Sequence, residues 1–174
     1  MPVLNTPRAG RNQEGYLETL IMNMYSDPRV IYKNGYGVCC VSPEAIVNAF
    51  NAVRNVWGVV NDIKVHYVEV LVEFSYGAEE TIRLAEKVIS YLGVNGFQSF
   101  YSFSKMEDGY LIAIAINSTS YLNGSIFHDN NKHYAEIYMM VSQAVPNQCG
   151  LDVSEAMFFD PKVGKGNYVH GEFV

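Results

Sequence analysis

The chain has 174 residues, of which 49% are hydrophobic and 17% charged, and its formal net charge is -6. This length and composition favour one domain with a substantial core and exclude a long disordered chain. The acidic balance disfavours tight, non-specific binding of nucleic acid, because contacts with phosphate normally require a basic surface.

The distribution of apolar residues indicates a protein without a membrane partner. The longest apolar run, from Leu111 to Ile116, is too short to span a bilayer. The opening residues, Met-Pro-Val-Leu-Asn-Thr-Pro-Arg-Ala-Gly-Arg, contain no apolar stretch that could act as a secretion signal. We therefore expect a cytoplasmic location.

The three cysteines predict reduced, structural thiols. Cys39 and Cys40 are adjacent in a predicted strand, so their side chains would point to opposite faces and would not pair simply. Cys149 is isolated, and the three residues have no metal-ligand spacing.

The N-terminal part of the chain predicts an arm, a helix and a strand. Residues 1–15 are polar and typical of a flexible arm. Apolar residues at helical spacing predict a helix over Tyr16–Tyr25, which the Asp27-Pro28 pair ends. The apolar segment Tyr36–Val41 predicts a short strand.

A second helix is predicted from Ser42, because this residue can act as N-cap and is followed by a proline and an acidic residue. Its apolar stripe continues to Trp57. The later elements show either the helical spacing of apolar residues or the alternation typical of strands. They are a strand over Val65–Phe74, a helix over Ala78–Leu92, strands over Phe97–Ser104 and Gly109–Ser118 joined as a hairpin, and a helix over Asn131–Val145.

This order of elements predicts an α+β fold, specifically a two-layer sandwich whose mainly antiparallel central sheet has about five strands. The predicted domain covers residues 16–155, and residues 156–174 are predicted to form a C-terminal loop.

Several segments carry a family resemblance. The strand from Gly109 reads Gly-Tyr-Leu-Ile-Ala-Ile-Ala-Ile-Asn. Other matching segments are Asn34-Gly-Tyr-Gly, His66-Tyr67, Glu73-Phe74-Ser75, Asn123-Gly124 and Phe127-His128. Their order and spacing resemble the mobilisation relaxases of plasmids and conjugative elements, in the histidine-hydrophobe-histidine endonuclease superfamily. The similarity extends from about Ile21 to Asp152 and implies a relaxase-like fold.

The resemblance also implies a chemistry. Relaxases nick one DNA strand at a transfer origin, using a tyrosine nucleophile and a divalent metal held by histidines, which neutralises developing charge on the phosphate. Two of those histidines lie two residues apart on one strand, where this chain has Leu111 and Ala113. His66 and Asn117 match other family positions. Tyr25 lies closest to the position of the nucleophile, and Tyr16 and Tyr32 are other candidates.

We therefore expect a degenerate relaxase homologue without nicking activity and without a cofactor. Its expected partners are single-stranded or origin DNA, or other mobilisation proteins beside which it acts as an accessory factor. One alternative is an active nickase with Tyr25 as nucleophile and Mg²⁺ or Mn²⁺ held by Glu69, Glu73 or Asp108. Another is a protein-interaction module without nucleic-acid contact, which the acidic charge favours.

The residues of the nickase alternative also have ordinary structural interpretations. Glu69 and Glu73 would share a strand face with Tyr67, and that face can simply be solvated. His66 can be a packed core histidine.

Overall fold

A computed structural model describes residues 3–7, 10–127, 132–144, 158–159 and 168–169. The elements within these ranges include both strands and helices. In chain order they are β1 (Val3–Asn5), α1 (Tyr16–Ser26), β2 (Val30–Tyr36), α2 (Pro43–Val56), β3 (Val65–Val72), a 3-10 turn (Phe74–Tyr76), α3 (Ala78–Val94), β4 (Ser99–Lys105), β5 (Tyr110–Asn117), α4 (Lys132–Ala144), β6 (Phe158–Phe159) and β7 (Tyr168–Val169).

The second helix shows how local chemistry sets an element. The Ser42 hydroxyl accepts a hydrogen bond from the Ala45 amide at 3.1 Å, and Pro43 occupies the first helical position. Both features supply what a helix N-terminus needs, because its first amides have no partner within the helix. The predicted start of this helix is therefore confirmed.

The main sheet has five strands in the order β1-β3-β5-β4-β2, and every neighbouring pair is antiparallel. Strand β5 is central and pairs with β3 over its whole length, from Val65 opposite Asn117 to Val72 opposite Tyr110. On its other side it forms the predicted hairpin with β4. The α+β class and the antiparallel sheet of about five strands are confirmed.

The prediction of two layers is wrong, because helices cover both faces of the sheet. Ile112, Ile114 and Ile116 of β5 pack with α3 and α4. Ala113 and Ala115 pack with α1 and α2 on the opposite face. A strand that is buried on both sides is expected to read as a continuous apolar run, as residues 111–116 do. The protein therefore has three layers.

Three local predictions also need correction. Within the predicted flexible arm, Val3–Asn5 forms strand β1, in which Leu4 is buried opposite Val70 of β3. The strand predicted over Tyr36–Val41 is wrong, because β2 ends at Tyr36 and Gly37 adopts a positive φ of 68° that begins a turn. Within the predicted C-terminal loop, Phe158–Phe159 pairs with Tyr168–Val169.

Other predictions concern residues that the structure does not describe. His128, Cys149 and the predicted boundary between residues 155 and 156 lie outside the described ranges. Among the described residues, no helix is long and apolar enough to cross a bilayer.

The hairpin between β4 and β5 generates a stability prediction. A Cβ atom at Gly109 would collide with the backbone carbonyl oxygen of Val72, which cannot move without distorting β3. We expect Gly109→Ala to lower the free energy of unfolding by about 2–4 kcal/mol in urea denaturation. The matched control is Asp108→Ala at the exposed neighbouring position, for which we expect a change below about 0.5 kcal/mol. Equal effects of the two variants would refute this account of the hairpin.

Candidate functional site

The positions that the resemblance assigns to the relaxase metal ligands lie on the face of β5 that α1 and α2 cover. Ala113 is 4% exposed and Ala115 is fully buried, and both pack in one cluster with Ile21 of α1 and Phe50 of α2. Leu111, nearer the start of the strand, is half-buried. Methyl groups and an isobutyl group cannot coordinate a metal, and the helices close this face over Ala113 and Ala115.

Tyr25 is bound to the backbone of the segment that precedes α2. Its hydroxyl donates to the carbonyl oxygens of Cys40 at 3.2 Å and Val41 at 3.0 Å. Its ring stacks on Phe100, with centroids 6.2 Å apart. The Lys33 ammonium lies 3.7 Å from the centroid of the Tyr25 ring and donates to the Tyr25 carbonyl at 3.1 Å. These contacts fix the end of α1 against the loop after β2.

The two other candidate tyrosines lie apart from Tyr25. Tyr32 is exposed on the edge strand β2, with its ring 6.1 Å from the ring of Tyr101. Tyr16 begins α1 and is half-buried. The pKa of Tyr16 is raised, mainly by burial and further by the negative charge of Glu69. The positive charge of Arg11 opposes this increase only in part. Tyr16 is therefore near the carboxylate that sequence analysis selected, whereas Tyr25 is hydrogen-bonded elsewhere.

Asn117 is the last residue of β5 and the hydrogen-bonding centre of that end of the strand, which we call its closed end. Its side-chain amide is fully buried and donates to Gln98 Oε1 at 2.8 Å and to the Phe50 carbonyl at 3.2 Å. Its Oδ1 accepts from the Thr119 amide at 3.2 Å. The side chain of Gln98 donates in turn to the Gly37 carbonyl at 2.8 Å. Asn117 thus joins β5 to α2 and, through Gln98, to the loop after β2.

The structure separates His66 from the other family-matching positions. His66 lies opposite Ile116 and is buried on the face that α3 and α4 cover. Its ring centroid is 4.9 Å from that of Phe127, which also stacks on His133 at 4.7 Å. Leu111, Ala113 and Asn117 belong to the opposite face. His66 therefore does not share a site with the other three residues selected by resemblance.

The two glutamates of the alternative metal site also have different surroundings. Glu69 lies on the face that carries Ala113 and accepts a hydrogen bond from the Tyr67 hydroxyl at 2.7 Å. Glu73 lies beyond the end of β3, at the start of the 3-10 turn, where the Ser75 hydroxyl donates to it at 3.4 Å. The expectation of a shared strand face is therefore wrong for Glu73. Among the described residues there is no group of three or more His, Cys, Asp or Glu side chains that could hold a metal ion, and metal binding by these two glutamates stays a prediction.

The structure reveals a cleft that sequence analysis missed. It lies at the end of the sheet where β5 begins, which we call the open end. Its volume is about 770 Å³, and it lies where the β4–β5 hairpin meets the start of β2 and the end of β3. Apolar and charged side chains of both signs line it: Arg29, Ile31, Leu71, Lys105, Met106, Glu107 and Asp108. The Arg29 guanidinium also pairs with Asp27 at 2.6 Å. These residues come from three distant segments, so no sequence pattern could have grouped them.

A second missed feature is a buried arginine near Asn117. Arg54 of α2 is 6% exposed, and its guanidinium donates to the Ser118 hydroxyl at 3.0 Å and to the Asn61 carbonyl at 2.7 Å. Burial lowers the pKa of Arg54. Its position in the last turn of a helix is favourable for a cation, because the helix dipole is negative there. Arg54 therefore reinforces the closed end of β5.

Comparison of the chain with protein-family models, with curated proteins and with solved structures gives no match. The relaxase resemblance therefore stays a prediction, and function has to be proposed from the residues described above.

The environment of Asn117 predicts a large effect of its removal. We expect Asn117→Ala to lower the free energy of unfolding by about 2–4 kcal/mol, because the Gln98 side chain, the Phe50 carbonyl and the Thr119 amide would lose buried partners. The control is Asn123→Ala, at an exposed position whose side chain accepts one local hydrogen bond from Ser125, with an expected loss below about 1 kcal/mol. A smaller loss for Asn117→Ala than for the control would contradict the proposed centre.

The burial of the Tyr67 hydroxyl leads us to expect a loss of stability at alkaline pH. Burial, followed by the nearby negative charge of Glu69, raises the pKa of Tyr67 above its ordinary value of 10.0. Above about pH 10 the unfolded chain releases this proton while the folded protein keeps it, so stability falls as the pH rises. The free energy of unfolding, measured by urea denaturation from about pH 8 to 11, should therefore decrease with pH. We expect Tyr67→Phe to reduce the slope of this decrease by up to about 1.4 kcal/mol per pH unit. Tyr32→Phe, at an exposed position, is the control. An unchanged slope in Tyr67→Phe would refute the prediction.

Proposed function

We propose that this protein is a relaxase-like module that does not cleave DNA and acts by binding. The observation that carries the proposal is that helices cover the face of β5 on which a relaxase would bind its metal. Ala113 is packed beneath α1 and α2, and the Tyr25 hydroxyl donates to two backbone carbonyls. A cytoplasmic setting and a role beside other mobilisation proteins are parts of the same proposal.

Strand cleavage makes two chemical demands. The tyrosine must lose its proton as it attacks, and a cation must neutralise charge on the phosphate. The two carbonyl oxygens that hold the Tyr25 hydroxyl are poor bases. Leu111 and Ala113 offer no lone pair to a metal. The rearranged nickase is therefore the less favoured alternative.

Single-stranded DNA is the proposed ligand, and the open end of the sheet is its proposed binding site. Arg29 and Lys105 line the cleft there, and the Lys105 ammonium lies 5.7 Å from the ring centroid of Phe74, which is 40% exposed. Single-strand binding sites combine cations that follow the backbone with aromatic rings on which bases stack. This pairing supports DNA over other anionic ligands.

A protein partner is the second candidate, because the same region carries features that disfavour DNA. Glu107 and Asp108 line the cleft beside the two cations, and the chain as a whole has a net charge of -6. Strand β2 is an edge strand of the main sheet, with Ile31 62% and Tyr32 42% exposed. Such an edge can pair with an extended segment of another protein.

Fluorescence anisotropy with a labelled single-stranded oligonucleotide separates these candidates. We expect micromolar binding that weakens with salt. In the Arg29→Ala/Lys105→Ala variant, we expect the slope of log affinity against log salt concentration to fall by about 1–1.5, since each phosphate contact contributes roughly 0.7. The control is Arg83→Ala, which removes an exposed cation of α3 that does not line the cleft. Absence of binding, or equal losses in both variants, would favour the protein partner.

The absence of cleavage is tested with supercoiled plasmid in the presence of Mg²⁺ or Mn²⁺. We expect no nicked product beyond that of a protein-free control. Nicking by the wild type that Tyr25→Phe abolishes would overturn the non-cleaving proposal and restore the nickase.

A further inference from the structure

The adjacent cysteines lie in a loop rather than in a strand. Cys39 and Cys40 belong to the segment between the end of β2 at Tyr36 and the start of α2 at Pro43. Both are free thiols, Cys39 exposed and Cys40 half-buried. The expectation that strand alternation would keep the two side chains on opposite faces therefore does not apply.

The backbone on both sides of the pair is anchored. The Gly37 carbonyl accepts from the Gln98 side chain at 2.8 Å, and the Cys40 and Val41 carbonyls accept from the Tyr25 hydroxyl. The Cys40 sulfur packs over Gly35, where an added Cβ atom would lie 3.1 Å from it. The loop therefore presents two neighbouring thiols at a defined place on the surface.

The two thiols differ in access, and this difference assigns them different roles. The exposed Cys39 can meet a solute oxidant directly. Burial, followed by the negative charge that Cys39 would carry, raises the pKa of Cys40. Cys40, half-buried and next to Cys39 in the chain, is therefore placed to act as the second thiol. Reversible redox sites commonly combine an accessible cysteine with a neighbouring resolving cysteine.

We propose that Cys39 and Cys40 form a redox-active vicinal dithiol that a peroxide oxidises to a disulfide. The Cys39 thiolate attacks one oxygen of hydrogen peroxide and breaks the O–O bond, which gives a sulfenic acid and, after proton transfer, one water. The Cys40 sulfur then attacks the Cys39 sulfur, the S–S bond forms, and the sulfenic oxygen leaves as a second water. The protein loses two hydrogen atoms, that is two protons and two electrons, and the peroxide is reduced to two waters.

The short separation of the two residues makes this disulfide a reversible one. Adjacent Cα atoms across a trans peptide are about 3.8 Å apart, whereas ordinary disulfides join Cα atoms about 4.4–6.8 Å apart. A bond formed outside the usual range is strained, and strained disulfides are the more easily reduced. Ring closure would also displace the Cys40 carbonyl, which the Tyr25 hydroxyl binds, so oxidation is coupled to the end of α1.

The test uses the full chain with Cys149→Ser, which leaves only the adjacent pair. After treatment with hydrogen peroxide, we expect the intact mass to fall by two hydrogen atoms, with loss of both titratable thiols and full recovery after dithiothreitol. Further substitution Cys40→Ser should leave a Cys39 sulfenic acid that dimedone traps. Further substitution Cys39→Ser should slow the loss of the remaining thiol by at least about tenfold, because the exposed reacting group is absent.

Circular dichroism shows whether each serine variant is folded. We expect all of them to fold, because Cys39 and Cys40 lie in a loop. The inference is overturned if folded Cys149→Ser protein gains oxygen atoms without losing two hydrogens. Disulfide-linked dimers as the main product, or resistance of both thiols to peroxide, would overturn it equally. None of these outcomes depends on whether DNA is bound.

Discussion

The burial of β5 on both of its faces is the constraint on which the rest of this structure depends. Its isoleucines point to α3 and α4, and its alanines point to α1 and α2. Two separate apolar clusters therefore share a single strand, and each helix pair is held by its own side of β5.

The two ends of this strand have opposite characters. At the Asn117 end, buried amide groups and the Arg54 guanidinium bind helix, strand and loop together. Buried polar groups that are fully hydrogen-bonded favour one arrangement, because any displacement leaves a partner unsatisfied in a nonpolar setting. At the Leu111 end, Leu111 itself is only half-buried, and the charged cleft lies nearby. This open end is where the proposed ligand would bind.

This division places the proposed function away from the positions that a relaxase would use. A metal-dependent site would require the covered face to admit a phosphate, yet that face is filled by apolar packing. Binding at the open end requires no such opening. The proposed binding therefore does not depend on relaxase chemistry, and the cysteine loop adds a second, independent surface.

The periodicity of the sequence determined the helices and strands β3, β4 and β5, because alternation and helical spacing are local properties. The sequence also placed Leu111 and Ala113 at the positions that the relaxase resemblance assigns to metal ligands, since both residues are read directly from the chain. Only the tertiary structure decided the number of layers, the separation of His66 from Asn117 and the pairing of β1. It also decided the partners of Tyr25 and the grouping of the cleft residues. Each of these depends on which face of the sheet a distant segment packs against, and that choice is made by burial across the whole core rather than by neighbouring residues.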